Sequence, residues 1–251
     1  MIAKNALITG NSNGLGKGLT QALLNANYHV YGCSRQGCSL TGKLNDIRCD
    51  LSDFDSITTA LQQLLAGITH LDLVILNAGI LGELKNMSAT SLDELQTVMN
   101  INVWANKFIF DYLLESGIAI KQILLMSSGA AVLGNKGWGA YALSKSALNM
   151  LGRLYAHEFP DTHIMSIAPG LVDSQMMDYL CNEADSTEFP ALQRIQQAKK
   201  DDKILSIDQA AVRILSALPH LKDYESGSFI DLRQILAPEE YAELMQARNK
   251  P

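Results

Sequence analysis

The chain has 251 residues, 47% of them hydrophobic, and a formal net charge of −6 at pH 7. That length supports a sizeable core, while the acidic balance and the lack of a Lys/Arg cluster among aromatics argue against nucleic acid as a partner. Cys33, Cys38, Cys49 and Cys181 form no Cys-x-x-Cys pair and the histidines are scattered. Free thiols in a reducing compartment, and no metal site, are therefore expected.

The N-terminus runs at once into the apolar Ala6-Leu7-Ile8. It lacks the basic region, long apolar stretch and cleavage site of a signal peptide, and no run has the length of a membrane span. A cytoplasmic protein with no membrane partner is expected. Short apolar runs at 5–9, 28–33, 46–49, 71–77, 122–127, 163–168 and 228–231 alternate with helical patterns at 14–27, 53–66, 92–116, 137–158 and 206–218. The runs are mostly unbroken, as in parallel strands covered on both faces. This predicts an α/β chain, a doubly wound Rossmann fold whose parallel sheet has about seven strands with helices on both faces. No linker, repeat or low-complexity tract divides it, so 1–251 is expected to be a single domain.

Two features interrupt the alternation. Segment 174–205 holds Met176, Met177, Tyr179, Leu180 and Phe189. Connections are ordinarily about 4–6 residues, so a segment of this length suggests a lid over a site. In the tail 237–251, Pro238 followed by Glu239 and Glu240 suits a first helical turn, and a short terminal helix is predicted over 237–248.

The first strand ends in Thr9-Gly10-Asn11-Ser12-Asn13-Gly14-Leu15-Gly16, just before a helix. Glycines there permit a tight turn and close approach of backbone N–H groups to a pyrophosphate, which the helix N-terminus also attracts. A nucleotide P-loop fits less well, because the glycine spacing differs and Lys17 is followed by Gly18. The second strand ends Cys33-Ser34-Arg35. An acid at the Ser34 position would bind an adenosine 2′-hydroxyl; a small residue beside an arginine suits a 2′-phosphate, so NADP(H) is expected over NAD. Tyr141 and Lys145 are four apart on a predicted helix and share one face. An ammonium beside a phenol favours phenolate and helps it release a proton.

The spacing Gly-x-x-x-Gly-x-Gly, with Ser128 and Tyr141-x-x-x-Lys145, resembles the short-chain dehydrogenase/reductase family. The resemblance implies that Ser128, Tyr141, Lys145 and Asn102 are catalytic: Ser128 holds a carbonyl oxygen, Tyr141 donates the proton, Lys145 binds the nicotinamide ribose, and Asn102 positions a water. Ser127 and Asn100 are the adjacent alternatives. It further implies cofactor contacts from Gly10, Ser12, Asn13, Gly14, Leu15, Gly16, Ser34 and Arg35. Asp50-Leu51 resembles the adenine-contacting pair, and Asn77-Ala78-Gly79 matches the family's Asn-Asn-Ala-Gly with Leu76 in place of its first Asn. Pro169-Gly170-Leu171-Val172-Asp173-Ser174 resembles the segment that holds the nicotinamide carboxamide, through Pro169, Gly170, Val172 and Ser174.

A narrower likeness to sepiapterin and benzil reductases rests on Lys136-Gly137-Trp138, Asp173, Met176 and Ser226-Gly227-Ser228-Phe229-Ile230-Asp231. It implies vicinal dicarbonyl substrates, with Ser128, Trp138, Asp173 and Asp231 as substrate contacts. The tail beyond Asp231 is longer than sepiapterin reductases have and is expected to cover or reshape the pocket. Family members pair through their two long central helices, so a homodimer or tetramer is expected. The apolar Val103, Phe108, Phe110, Leu148, Leu151 and Leu154 suit two buried faces. Two alternatives remain open: an NAD-dependent alcohol dehydrogenase of the same family, and a non-catalytic dinucleotide sensor, which has no need of the Ser–Tyr–Lys set.

Overall fold

A computed structural model describes residues 4–248, so the last three residues of the expected tail 237–251 lie outside the described residues. Among the described residues nine strands form: β1 Lys4–Thr9, β2 Tyr28–Ser34, β3 Leu44–Arg48, β4 His70–Leu71, β5 Leu73–Leu76, β6 Ala119–Ile120, β7 Gln122–Met126, β8 His163–Ala168 and β9 Phe229–Asp231. Seven make one parallel sheet in the order β3-β2-β1-β5-β7-β8-β9. β4 and β6 pair separately, just ahead of β5 and β7. They are set off at Asp72 and Lys121, where the Asp72 N–H turns to the Asn5 carbonyl (2.8 Å) and Lys121 Nζ to the Asp72 carboxylate (2.5 Å).

Every residue of β5 and β7 is buried, as expected where helices cover both sheet faces. One face carries Ile57, Leu61, Ile109, Phe110 and Leu148 from the helices Phe54–Leu64, Ala105–Glu115 and Gly139–Ala156. The other carries Leu19, Leu23, Ile214 and Ala217 from Gly14–Asn25 and Ile207–Leu221. These two helices pack closely at Gly18, where a Cβ would lie 2.3 Å from Ile207 Cγ2.

The expected central helix over 92–116 forms as Leu92–Met99 and Ala105–Glu115 joined by a π turn at Asn100–Trp104. Single π turns inside helices mark functional sites. Ser91 and Glu94 close a reciprocal capping box at its start, satisfying N–H groups that lack helical partners. Chain order reverses between β1 and β5, since β3 ends one edge of that half and the chain re-enters beside β1. The crevice beyond the carboxyl ends of those two strands is where open α/β sheets bind ligands.

Candidate active site

At that crevice the turn after β1 is held from two sides. Thr9 Oγ1 accepts the N–H groups of Asn77 (3.0 Å) and Ala78 (3.1 Å), and Asn77 Nδ2 donates to the Thr9 carbonyl at 3.1 Å. Asn11, fully buried, crosses over β2 to reach the Asp46 carboxylate on β3 at 2.6 Å. It can do so because residue 32 is glycine: a Cβ there would sit 2.0 Å from Asn11 Nδ2. Gly16 is equally constrained, its would-be Cβ falling 2.0 Å from the Gly10 carbonyl oxygen. The following helix, Gly14–Asn25, has no side-chain cap. Its first N–H groups and positive dipole end therefore remain available for an anion. This cradle fits a dinucleotide pyrophosphate.

A cleft of about 1510 Å³ opens along these elements. It is lined by the glycine turn, Ser34, Arg35, Asp50, Leu51, Asn77–Gly79, Ser128, Trp138, Tyr141, Lys145 and the segment Pro169–Ser174 without Asp173. All of the expected cofactor contacts and three of the four expected catalytic residues thus share one wall system. At the β2 end, Ser34 Oγ accepts the Gly37 N–H at 3.2 Å, which leaves its own proton free to donate. Asp50 lies below the usual carboxylate range because the Ser52 N–H and hydroxyl both donate to it, with Arg35 adding its charge. Arg35 and Asp50 therefore border one end of the cleft.

Tyr141 and Lys145 project from successive turns of Gly139–Ala156 and are 9% and 4% exposed. Burial pushes the Tyr141 phenol up to about 12, and a hydrogen bond with the Ser128 side chain opposes that rise. Burial lowers Lys145 to about 8. Its ammonium lies 5.6 Å from the centre of the Tyr141 ring and donates to the Met126 carbonyl at 2.7 Å. Ser128 Oγ accepts the Ala130 N–H at 3.1 Å, which leaves its own proton to be donated toward Tyr141.

Asn102 does not reach the cleft wall. The π turn aims its amide inward: Oδ1 accepts the Ile80 N–H (2.8 Å), and Nδ2 donates to the Ile80 carbonyl (2.8 Å) and to Ser144 Oγ (2.9 Å). It ties the β5 loop to the Tyr141 helix, and both Asn102 Oδ1 and Lys145 Nζ close on Gly79, within 3.2 Å of where a Cβ would stand.

The two expected substrate carboxylates are not brought to the cleft wall. Asp231 is buried, and Arg233 takes both of its oxygens, Nε at 2.9 Å and Nη2 at 2.5 Å. Asp173 is largely exposed and lies 3.9 Å from Lys199. Conversely, the sequence reading missed Arg194, Arg213 and Arg233, which line the cleft, as do Glu240, Glu243 and Leu244 of the terminal helix Pro238–Arg248. The tail therefore contributes to the cleft wall. Asn11, Gly32 and Asp46 were also missed.

A sheet of this order, with a glycine cradle and a Ser–Tyr–Lys set at its switch point, defines a dinucleotide-dependent oxidoreductase. Residues 4–185 match the short chain dehydrogenase family, and the chain belongs to it. The chain is 28% identical over 246 residues to benzil reductase ((S)-benzoin forming) of Bacillus subtilis strain 168, spanning 92% of this chain and 98% of that one. It is 30% identical over 192 residues to sepiapterin reductase of Xenopus laevis, 72% of each chain. A solved short chain dehydrogenase/reductase from Saccharomyces cerevisiae superposes with a TM-score of 0.80 at 21% identity, over 92% of this chain and 96% of that one. Family members use nicotinamide dinucleotides and small-molecule substrates. Among the described residues no helix is long and apolar enough to cross a membrane.

Proposed function

We propose that the protein is an NADPH-dependent carbonyl reductase acting on vicinal dicarbonyl compounds. The observation that carries the reaction is the Ser128–Tyr141–Lys145 set on the cleft wall, with Tyr141 and Lys145 buried and Ser128 half-buried. The dicarbonyl class rests on the likeness to benzil and sepiapterin reductases. Ser34 beside Arg35 supports NADPH, because a 2′-phosphate finds a hydroxyl donor and a guanidinium there and no competing carboxylate at that position. The bound dinucleotide supplies the hydride.

The chain's own residues handle the oxygen and the proton. Ser128, which faces Tyr141, donates its hydroxyl proton to the substrate carbonyl oxygen and so stabilises the charge that grows there. Tyr141, kept protonated by burial, delivers its proton to that oxygen as it becomes an alkoxide, which is far more basic than a phenolate. Lys145 holds positive charge near the phenolate that remains. Segment 174–205 serves as a lid that excludes water, within one domain that spans the chain. Two copies associate through the outward sides of the central helices, in the cytoplasm.

The test follows NADPH oxidation optically with benzil, 1-phenyl-1,2-propanedione, sepiapterin, a simple ketone and a simple aldehyde. Diketone turnover that vanishes in Tyr141→Phe supports the reaction. Arg35→Ala is expected to raise the KM for NADPH by more than tenfold and leave NADH nearly unchanged. Equal losses for both cofactors reject the 2′-phosphate assignment, and tight NADPH binding without turnover of any carbonyl shifts the reading to a sensor.

A further inference from the structure

Trp138 is 8% exposed, and its indole Nε1 is buried with no hydrogen-bond partner among the described residues. Buried polar groups are nearly always paired, so an orphaned donor on the wall of an active-site cleft calls for a reason. Its surroundings supply none: Leu81, Ala130, Leu180, Phe189 and Leu192 pack in one apolar cluster with it. The residue is also well fixed. Its carbonyl accepts the Ala142 N–H at 2.7 Å as the first bond of Gly139–Ala156. Tyr141 follows three positions later, which puts the two side chains on neighbouring parts of one helix face. Their ring centres lie 6.2 Å apart, tilted by 56°.

We infer that the Trp138 indole N–H is a specificity-determining donor that binds the second oxygen of the dicarbonyl, while Ser128 and Tyr141 hold the first. This rests on the dicarbonyl reductase reading and deepens it. Trp138 lines the same cleft as the Ser128–Tyr141 pair. A vicinal dicarbonyl carries its second oxygen on the carbon next to the reacting one, so one ligand can meet both groups. A monoketone leaves the indole N–H unpaired within its apolar cluster. A site built to pair with a substrate group discriminates sharply against an analogue that lacks it. The donor thus separates dicarbonyls from simple ketones through a neutral group.

The test uses Trp138→Phe, which keeps an aromatic ring in the cluster and removes the N–H together with part of the indole, a packing loss that the second ketone controls for. Benzil is compared with deoxybenzoin, the same skeleton with one carbonyl replaced by a methylene. Expected is a loss of about tenfold or more in kcat/KM for benzil, mostly in KM, with deoxybenzoin changed by less than about twofold. Equal losses on both ketones mean that the ring acts only by packing, and no loss on either means that the N–H is idle; both overturn the inference. Calorimetric titration of the NADP+-loaded protein with each ketone separates this from the reductase reading. If wild type reduces neither ketone, the reductase reading fails, yet benzil binding weakened about tenfold by Trp138→Phe, with deoxybenzoin unaffected, still sustains the donor. Absence of that difference, including no benzil binding at all, overturns it.

Discussion

Lys145 shows the conflict between stability and chemistry most directly. Burial brings it from an ordinary 10.5 down to about 8, so at pH 7 the fold carries a buried ammonium whose one protein acceptor is the Met126 carbonyl. The unfolded chain binds the proton more tightly between those two values, so stability rises with pH across that window. Below it the full cost is present, on the order of 3 kcal/mol at 1.36 kcal/mol per pH unit. Lys145→Met removes the charge and leaves one carbonyl unpaired. It is expected to abolish reduction while stabilising the protein by about 1–2 kcal/mol, seen as a Tm increase of a few degrees. In the native enzyme, kcat/KM for reduction should be level at low pH and fall as pH rises through about 8, because Lys145 then loses the charge that supports the phenolate. A profile that stays flat to pH 10, or a Met variant that melts earlier, contradicts this account. The same scale shows where the sequence was legible. The shared placement of Ser128, Tyr141 and Lys145 on the cleft wall was readable because it depends on local spacing along one strand end and one helix. The pairing of Asp231 with Arg233, which lines the cleft in its place, was not legible, because it depends on how β9 ends and turns. Asn11, Gly32 and Asp46 were hidden, because their contact joins the turn after β1 to the interiors of β2 and β3, which are apart in sequence.

At the scale of elements, segment 174–205 is docked at a defined place. It contains Gln175–Asp178, a π turn Tyr179–Glu183 and the helix Pro190–Lys200. The Phe189 ring lies on Gly137, which has φ of +90°, and a Cβ there would stand 2.6 Å from the ring. Beside it Glu188 pairs with Lys136 at 3.2 Å. Both ions are mostly exposed, so their pairing contributes about 0–1 kcal/mol and the ring against the glycine carries more of the docking. Gly137→Ala should therefore lift the segment: the KM for the carbonyl substrate rises roughly three- to tenfold, by loss of a contact of about 1 kcal/mol, while the Kd for NADPH holds. Lys136→Ala should change neither by more than about twofold. Steady-state kinetics with fluorescence titration of NADPH distinguishes the two, and equal effects of both variants would reject the glycine seat. Sequence patterning located the buried strands and the main helices because their apolar periods are strong. It began β3 late, since Asn45 and Asp46 are exposed on an edge strand that pairs only with β2. The π turn at Asn100–Trp104 left no mark in the pattern, because one inserted residue disturbs the period too little to see.

At the scale of the molecule, the structure separates apolar residues that serve the core from those that face outward. Val103, Phe110 and Leu148 are buried, and Phe108 and Leu151 pack half-buried against the core. Leu154 is 55% exposed, and with it Leu143, Met150, Trp104 and Leu114 lie open on the two central helices or at their joint. Periodicity alone treats both sets alike, since two buried faces of one helix differ only in what covers them. Scattered apolar side chains on a surface are ordinary, but a group on adjacent helices marks an association surface. Leu143, Met150 and Leu154 follow one another at spacings of seven and four residues, a single stripe along Gly139–Ala156. The stripe faces away from the cleft, so pairing there leaves the site of each copy open. Wild-type protein is expected to scatter light as twice 27.4 kDa. Met150→Glu with Leu154→Glu is expected to yield the single-chain mass with little change in Tm under conditions where wild type is also monomeric, because both side chains contact solvent in one copy. Charged groups placed opposite each other across the two-fold axis repel and lose hydration, which disfavours the dimer well beyond the loss of the two apolar contacts. A wild-type mass of 27.4 kDa at micromolar concentration would refute the dimer outright, and a double variant that stays paired would move the interface to another face.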